Sequence, residues 1–133
     1  MSYDLLVFDP AAVPIDRGAF LVWYDSRDIE VELFDPTQSE FSTSNLRSWL
    51  DDMLKTFPAL NGPYSKCDHD WDDLYLTEYD IRRTNIYACF AWSLATSAYN
   101  AVLSLAEKHQ IAFFDVSGAE GRVWRPEHDG RLR

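Results

Sequence analysis

The sequence predicts an α+β domain, a mostly antiparallel sheet with helices packed on one face, as a ferredoxin-like or split βαβ variant. Three observations predict it. Two segments repeat apolar residues at helical spacing, over 46–57 and 94–105. Four short runs read instead as strands, at 3–8, 74–81, 85–92 and 111–116. The resulting order is β, α, α, β, β, α, β, β, with a hairpin between two helical crossings.

Each element has its own argument. Residues 3–8 (YDLLVF) form an apolar run closed by Asp9-Pro10, as in a buried first strand. Residues 16–24 are ambiguous: Phe20, Trp23 and Tyr24 share a helical face behind Asp16 as cap, while Phe20-Leu21-Val22-Trp23 also suits a strand. Helix is the favoured reading. Residues 28–41 admit a short strand at Ile29, Val31 and Leu33, or a loop, because Asp35-Pro36 breaks regular structure. Leu46, Trp49, Leu50, Met53, Leu54 and Phe57 define the clearest helix, with Ser42, Thr43 and Ser44 as capping candidates and Pro58 as its stop.

Asn61-Gly62-Pro63 marks a turn, and residues 64–73 (YSKCDHDWDD) form a polar, acidic loop. Tyr75, Thr77, Tyr79 and Ile81 alternate with Leu76, Glu78 and Asp80, as in a half-exposed strand. Arg82-Arg83-Thr84 then turns into residues 85–92, apolar enough for a central strand. Leu94, Ala98, Ala101, Val102 and Leu105 give the second helix, with Lys108 and His109 at its negative end. Residues 111–116 are a buried strand, and 122–125 a short last one. Residues 1–126 are thus one domain, and 127–133 a polar C-terminal tail expected to fray.

Charge restricts the partners. Twenty-two acidic against 12 basic side chains give a net charge of −10 over 133 residues. Residues 1–80 carry 17 acidic and 5 basic groups, whereas 81–133 carry 5 and 7. Such a field repels nucleic acid and anionic membranes and attracts cationic partners. No apolar run is long enough for a membrane span. Residues 1–4 have no signal-peptide character, so the expected location is cytoplasmic. Cys67 and Cys89, the two cysteines, are expected as free thiols.

The densest polar cluster is Cys67-Asp68-His69-Asp70-Trp71-Asp72-Asp73. It lacks the glycine and closing glutamate of a calcium loop, and one Cys with one His is not a zinc set. Neither cofactor nor metal is therefore expected. Ser117 lies in DVSGAE, outside any nucleophile elbow, and Cys89 falls in an apolar strand. Five scattered glycines write no phosphate loop. Glu78 and Asp80 share one strand face, with Arg82 and Arg83 near enough in sequence to neutralise them. Trp49, Phe57, Phe90, Phe113 and Phe114 are expected in the core. Trp23, Tyr24, Tyr64, Trp71, Tyr75 and Tyr79 lie among acids and are candidates for partial exposure.

The stretches MSYDLLVFDPAAVP, FPALNGPY, NIYACFAWSLATSAYNAV and IAFFDVSGAEGRVWRP resemble a family of small uncharacterised bacterial proteins that run from SYDL-VFDP to FFDVS and a VW-P segment. The resemblance implies no catalytic residues. It implies a role beside secreted toxins, as immunity proteins have. Residues 28–41 and the CDHDWDD loop diverge from that pattern.

Two readings follow. The first is an immunity protein or inhibitor, not an enzyme, that engages a basic cognate toxin through Asp68, Asp70, Trp71, Asp72, Asp73, Tyr75, Glu78 and Asp80. The alternative is a small metal-dependent enzyme or ligand-binding domain using the carboxylates of residues 68–80.

Overall fold

A computed structural model describes residues 2–27, 41–65 and 73–133. Strand β1 (Ser2–Phe8) leads to helix α1 (Arg17–Ser26), then α2 (Ser44–Thr56). The hairpin β2 (Glu78–Ile81) and β3 (Asn85–Ala91) follows. A 3₁₀ turn at Trp92–Leu94 feeds α3 (Ala95–His109), and β4 (Ala112–Phe114) and β5 (Val123–Trp124) complete the set. The sheet order is β2-β3-β1-β4-β5, antiparallel at every pairing. Set α1 and β5 aside, and the βαββαβ chain order with β1 and β3 central is the ferredoxin-like arrangement.

The alternation of β1 decides where the helices go. Leu5 and Val7 point to one face and Leu6 and Phe8 to the other, and all four are buried. The first face meets Leu46, Trp49, Leu50 and Met53 of α2 and Ala98, Val102 and Ala106 of α3. Each large side chain so buried contributes about 1.5–3 kcal/mol of transfer free energy. The second face needs a cover of its own, so α1 does not join α2 and α3, as expected of all the helices, but packs opposite them. Asp16 caps α1 by accepting from the Ala19 amide at 3.0 Å. Phe20, spaced with Trp23 and Tyr24, then reaches Phe8 and Phe114, the latter edge-on at 5.1 Å. This tertiary contact resolves the helix-or-strand ambiguity of that segment.

The helix pair α2–α3 is also tied by charge. Asp52 of α2 bonds Lys55 within its own helix and, across the pair, Lys108 at 3.0 Å and His109 at 2.7 Å. Thr43 precedes α2 as the capping residue, though its side chain makes no capping hydrogen bond. Gln110, in the left-handed region at φ 55°, ends α3 and delivers the chain directly into β4.

Three expectations need correction. The tail does not fray. Arg125 and Arg133 exchange both backbone hydrogen bonds at 2.9 Å, Gly130 turns at φ 85°, and Leu132 reaches the core at 6% exposure. One apolar residue and one left-handed glycine suffice to fold it back. Strand β2 is shorter than 74–81, because Asp73 captures the Tyr75 amide with its side chain and the Leu76 amide with its carbonyl. Tyr79 is buried at 3% exposure, its hydroxyl donating to the Phe57 carbonyl at 2.8 Å. The expected strand or loop at 28–40 lies outside the described residues, as does most of the acidic loop.

Candidate functional site

The antiparallel register sets a polar row across the sheet face opposite α2 and α3. Asp4 of β1 pairs with Cys89 of β3, which pairs with Glu78 of β2. One step along, Leu6 pairs with Tyr87 and Tyr87 with Asp80. Helix α1 covers the Phe8 and Phe114 end of this face and leaves the row open. Tyr24 and Arg27, at the end of α1, wall a cleft of about 360 Å³ with Glu78, Asp80, Tyr87 and Cys89. A shallower groove shares Glu78 and Cys89 and runs on past Asp73 and Leu74.

The carboxylates differ in what holds them. Asp80, half exposed, faces Arg27 at 3.5 Å and Arg82 at 3.2 Å. Arg27 is 7% exposed and anchored by Nε donating to Asn85 Oδ1 at 2.6 Å, so the cation is fixed and the carboxylate is the solvated partner. An ion pair with one wet member is worth only about 0–1 kcal/mol. Asp4 accepts from the Tyr87 and Ser2 hydroxyls, each at 2.6 Å. Glu78 is exposed and accepts no hydrogen bond from the described residues. It is therefore the charge on this face most available to a partner.

The neutral groups are held neutral. Burial, then the Asp4 and Glu78 charges, push the Cys89 thiol up to about 12, so little thiolate forms near neutral pH. Burial and the bond to Asp4 likewise raise the Tyr87 hydroxyl, which stays a donor. Among the described residues, no group of three His, Cys, Asp or Glu side chains is placed to hold a metal ion. Ser117 accepts from the Asp4 amide at 2.8 Å and thus serves the backbone. The face sets the carboxylates of Asp4, Glu78 and Asp80 beside the rings of Tyr24 and Tyr87, and carboxylate acceptors match ammonium and guanidinium groups.

Of the residues expected at a partner surface, Asp73, Tyr75, Glu78 and Asp80 are all exposed. Glu78 and Asp80 share the sheet face. Tyr75 lies beyond the start of β2, its ring against Phe57 at 5.5 Å with 41% of the residue exposed. Asp68, Asp70, Trp71 and Asp72 lie outside the described residues. Sequence reasoning missed Asp4, Tyr87 and Arg27. The period-2 alternation through Ser2, Asp4, Leu6 and Phe8 carries the signal for Asp4, but the apolar content of the run masks it. No helix among the described residues is long and apolar enough to cross a membrane.

Fold and face together define an α+β protein of ferredoxin-like order with an open acidic sheet surface. No family model, curated protein or solved structure matches the chain.

Proposed function

We propose that this protein acts by binding and not by catalysis, as a cytoplasmic inhibitor of the immunity type that neutralises a basic bacterial toxin. The observation that carries the reading is Glu78, an exposed carboxylate without a partner among the described residues, on a face where Asp4 and Asp80 add acceptors. Beside it, Leu74 at 58% and Tyr75 at 41% exposure supply apolar contact area. The net charge of −10 accelerates encounter with a cation-rich surface, and a ring already fixed against Phe57 loses little entropy on docking. The resemblance to a toxin-associated bacterial family supports the same reading. Asp73, Tyr75, Glu78 and Asp80 are the contact residues among those described; the other sequence candidates, Asp68, Asp70, Trp71 and Asp72, lie outside the described residues.

The test is capture from the native host together with the products of adjacent genes, followed by titration. A basic protein should bind, and more weakly as salt rises. Glu78→Lys combined with Asp73→Lys should weaken it by at least about tenfold while far-UV circular dichroism is unchanged. A folded double variant with wild-type affinity would remove this face from the interface. Failure to find any protein partner would remove the inhibitor reading itself.

A further inference from the structure

At the opposite edge of the sheet, three of the chain's 12 basic residues contribute to the lining of one cavity. Arg17 opens α1, and Arg122 and Arg125 flank β5. With Ile15, Phe20 and Val123 they line about 440 Å³. In a protein of net charge −10, basic residues are expected beside carboxylates. Here no carboxylate among the described residues comes within 4 Å of any of the three. Glu120 also lines the cavity, but it is its backbone carbonyl, with that of Gly121, that accepts from Arg17. Arg125 donates to the Pro14 carbonyl at 2.9 Å, and its Nε is buried without an acceptor. Its guanidinium lies 5.8 Å from the Phe8 ring centre and 5.7 Å from that of Phe20. Arg122 instead stacks 3.6 Å over the ring of Trp124, which packs on the other core and is not part of this lining.

Like charges in one partly apolar cavity repel one another, and burying a guanidinium without a counter-ion costs free energy. Burial alone pushes the Arg125 pKa below its ordinary value, although an arginine remains charged. An anion in the cavity reverses both costs. The start of α1 does not supply the site, since Asp16 already caps it. The guanidinium groups do.

We propose that this cavity binds a phosphate monoester, its dianionic head on Arg17 and Arg125 and its organic body against Ile15 and Val123. A phosphate suits the site better than a carboxylate, because its roughly two negative charges and three acceptor oxygens meet several forked donors at once. The volume is that of a small-molecule pocket. The site is independent of the acidic face and of whatever partner that face engages.

Titration of the full chain with phenyl phosphate and, separately, inorganic phosphate tests the proposal, followed by isothermal calorimetry and by tryptophan fluorescence. Phenyl phosphate should bind saturably and perturb the emission of Trp23, which packs against Phe20 on this face. Weaker binding of inorganic phosphate would show the apolar wall contributing and identify an ester as the ligand. Equal binding would show that the phosphate alone is read and make free phosphate the ligand. Arg17→Gln, a change at an exposed residue, should weaken either by about ten- to a hundredfold, the loss of one charge-assisted hydrogen bond. Arg125→Gln should do likewise, with circular dichroism reporting any loss of fold. No saturable response to either probe at millimolar concentration, or unaltered affinity in a folded Arg17→Gln variant, would overturn the proposal.

Discussion

Replacing Tyr79 by Phe removes one buried hydroxyl and leaves the ring in place. That hydroxyl donates to the Phe57 carbonyl, just past the end of α2, and the residue is 3% exposed. An orphaned buried acceptor costs about 1–3 kcal/mol, so the variant should be about 2 kcal/mol less stable at neutral pH. The gap should then close with rising pH. In the unfolded chain Tyr79 ionises at its ordinary 10.0, whereas burial, only partly offset by the Thr77 hydrogen bond, holds the folded-state value well above that. Ionisation therefore stabilises the unfolded state alone. The advantage of keeping Tyr79 neutral is complete below pH 10 and is lost above it by about 1.4 kcal/mol per pH unit. About one and a half units of that slope offset the 2 kcal/mol, so the two proteins should become equally stable near about pH 11.5. Urea unfolding followed by far-UV circular dichroism between neutral pH and that point measures both curves. The other tyrosines are common to the two proteins and cancel. A gap that stays constant, or none at neutral pH, would refute the argument that this hydroxyl is both bonded and desolvated.

Leu132→Ala should lower stability by about 2 kcal/mol or more, the cost of truncating a buried leucine, and a change within about 0.5 kcal/mol would mean the C-terminal hairpin is not docked. The hydrogen bond from His109, with those from Lys55 and Lys108, holds the Asp52 carboxyl well below its ordinary 3.8. Its contribution is thus present above pH 3.8 and lost as the pH falls further, and Asp52→Asn should flatten that part of an acid-unfolding curve. In a Cys67→Ser background, Cys89 should react with iodoacetamide far more slowly in the folded than in the urea-unfolded protein. Raising a thiol from 9.0 to about 12 leaves roughly a thousandfold less thiolate, and equal rates would contradict the burial and carboxylate neighbours assigned to it.

Much of the fold was legible because apolar periodicity is local. Leu46 to Phe57 and Leu94 to Leu105 repeat at helical spacing, and the hairpin around Arg82-Arg83-Thr84 separates two strand patterns, so element order and sheet class followed. What escaped was decided by contacts distant in sequence. Helix α1 lies opposite α2 and α3 because Leu6 and Phe8 are as apolar as Leu5 and Val7, a symmetry no local window reveals. Leu132 meets the core across the whole chain from β1, so a tail with one apolar residue read as frayed. The site was legible in part. Glu78 and Asp80 were placed together by strand alternation, while Asp4 joins them only through the register of β1 on β3. Arg27 enters through a bond to Asn85, 58 positions away.

Strand β1 is hydrogen-bonded on both sides, to β3 and β4, and its residues from Leu5 to Phe8 are buried on both faces of the sheet. Its central amides have no route to solvent short of dismantling both cores. Their hydrogen exchange should proceed only through global opening, as the slowest in the protein. Such amides form an internal gauge that does not depend on where a ligand sits. A toxin on the acidic face or a phosphate among the arginines would slow them by a factor set solely by concentration over dissociation constant. The same few backbone protons can therefore weigh both proposals in a single mass spectrum.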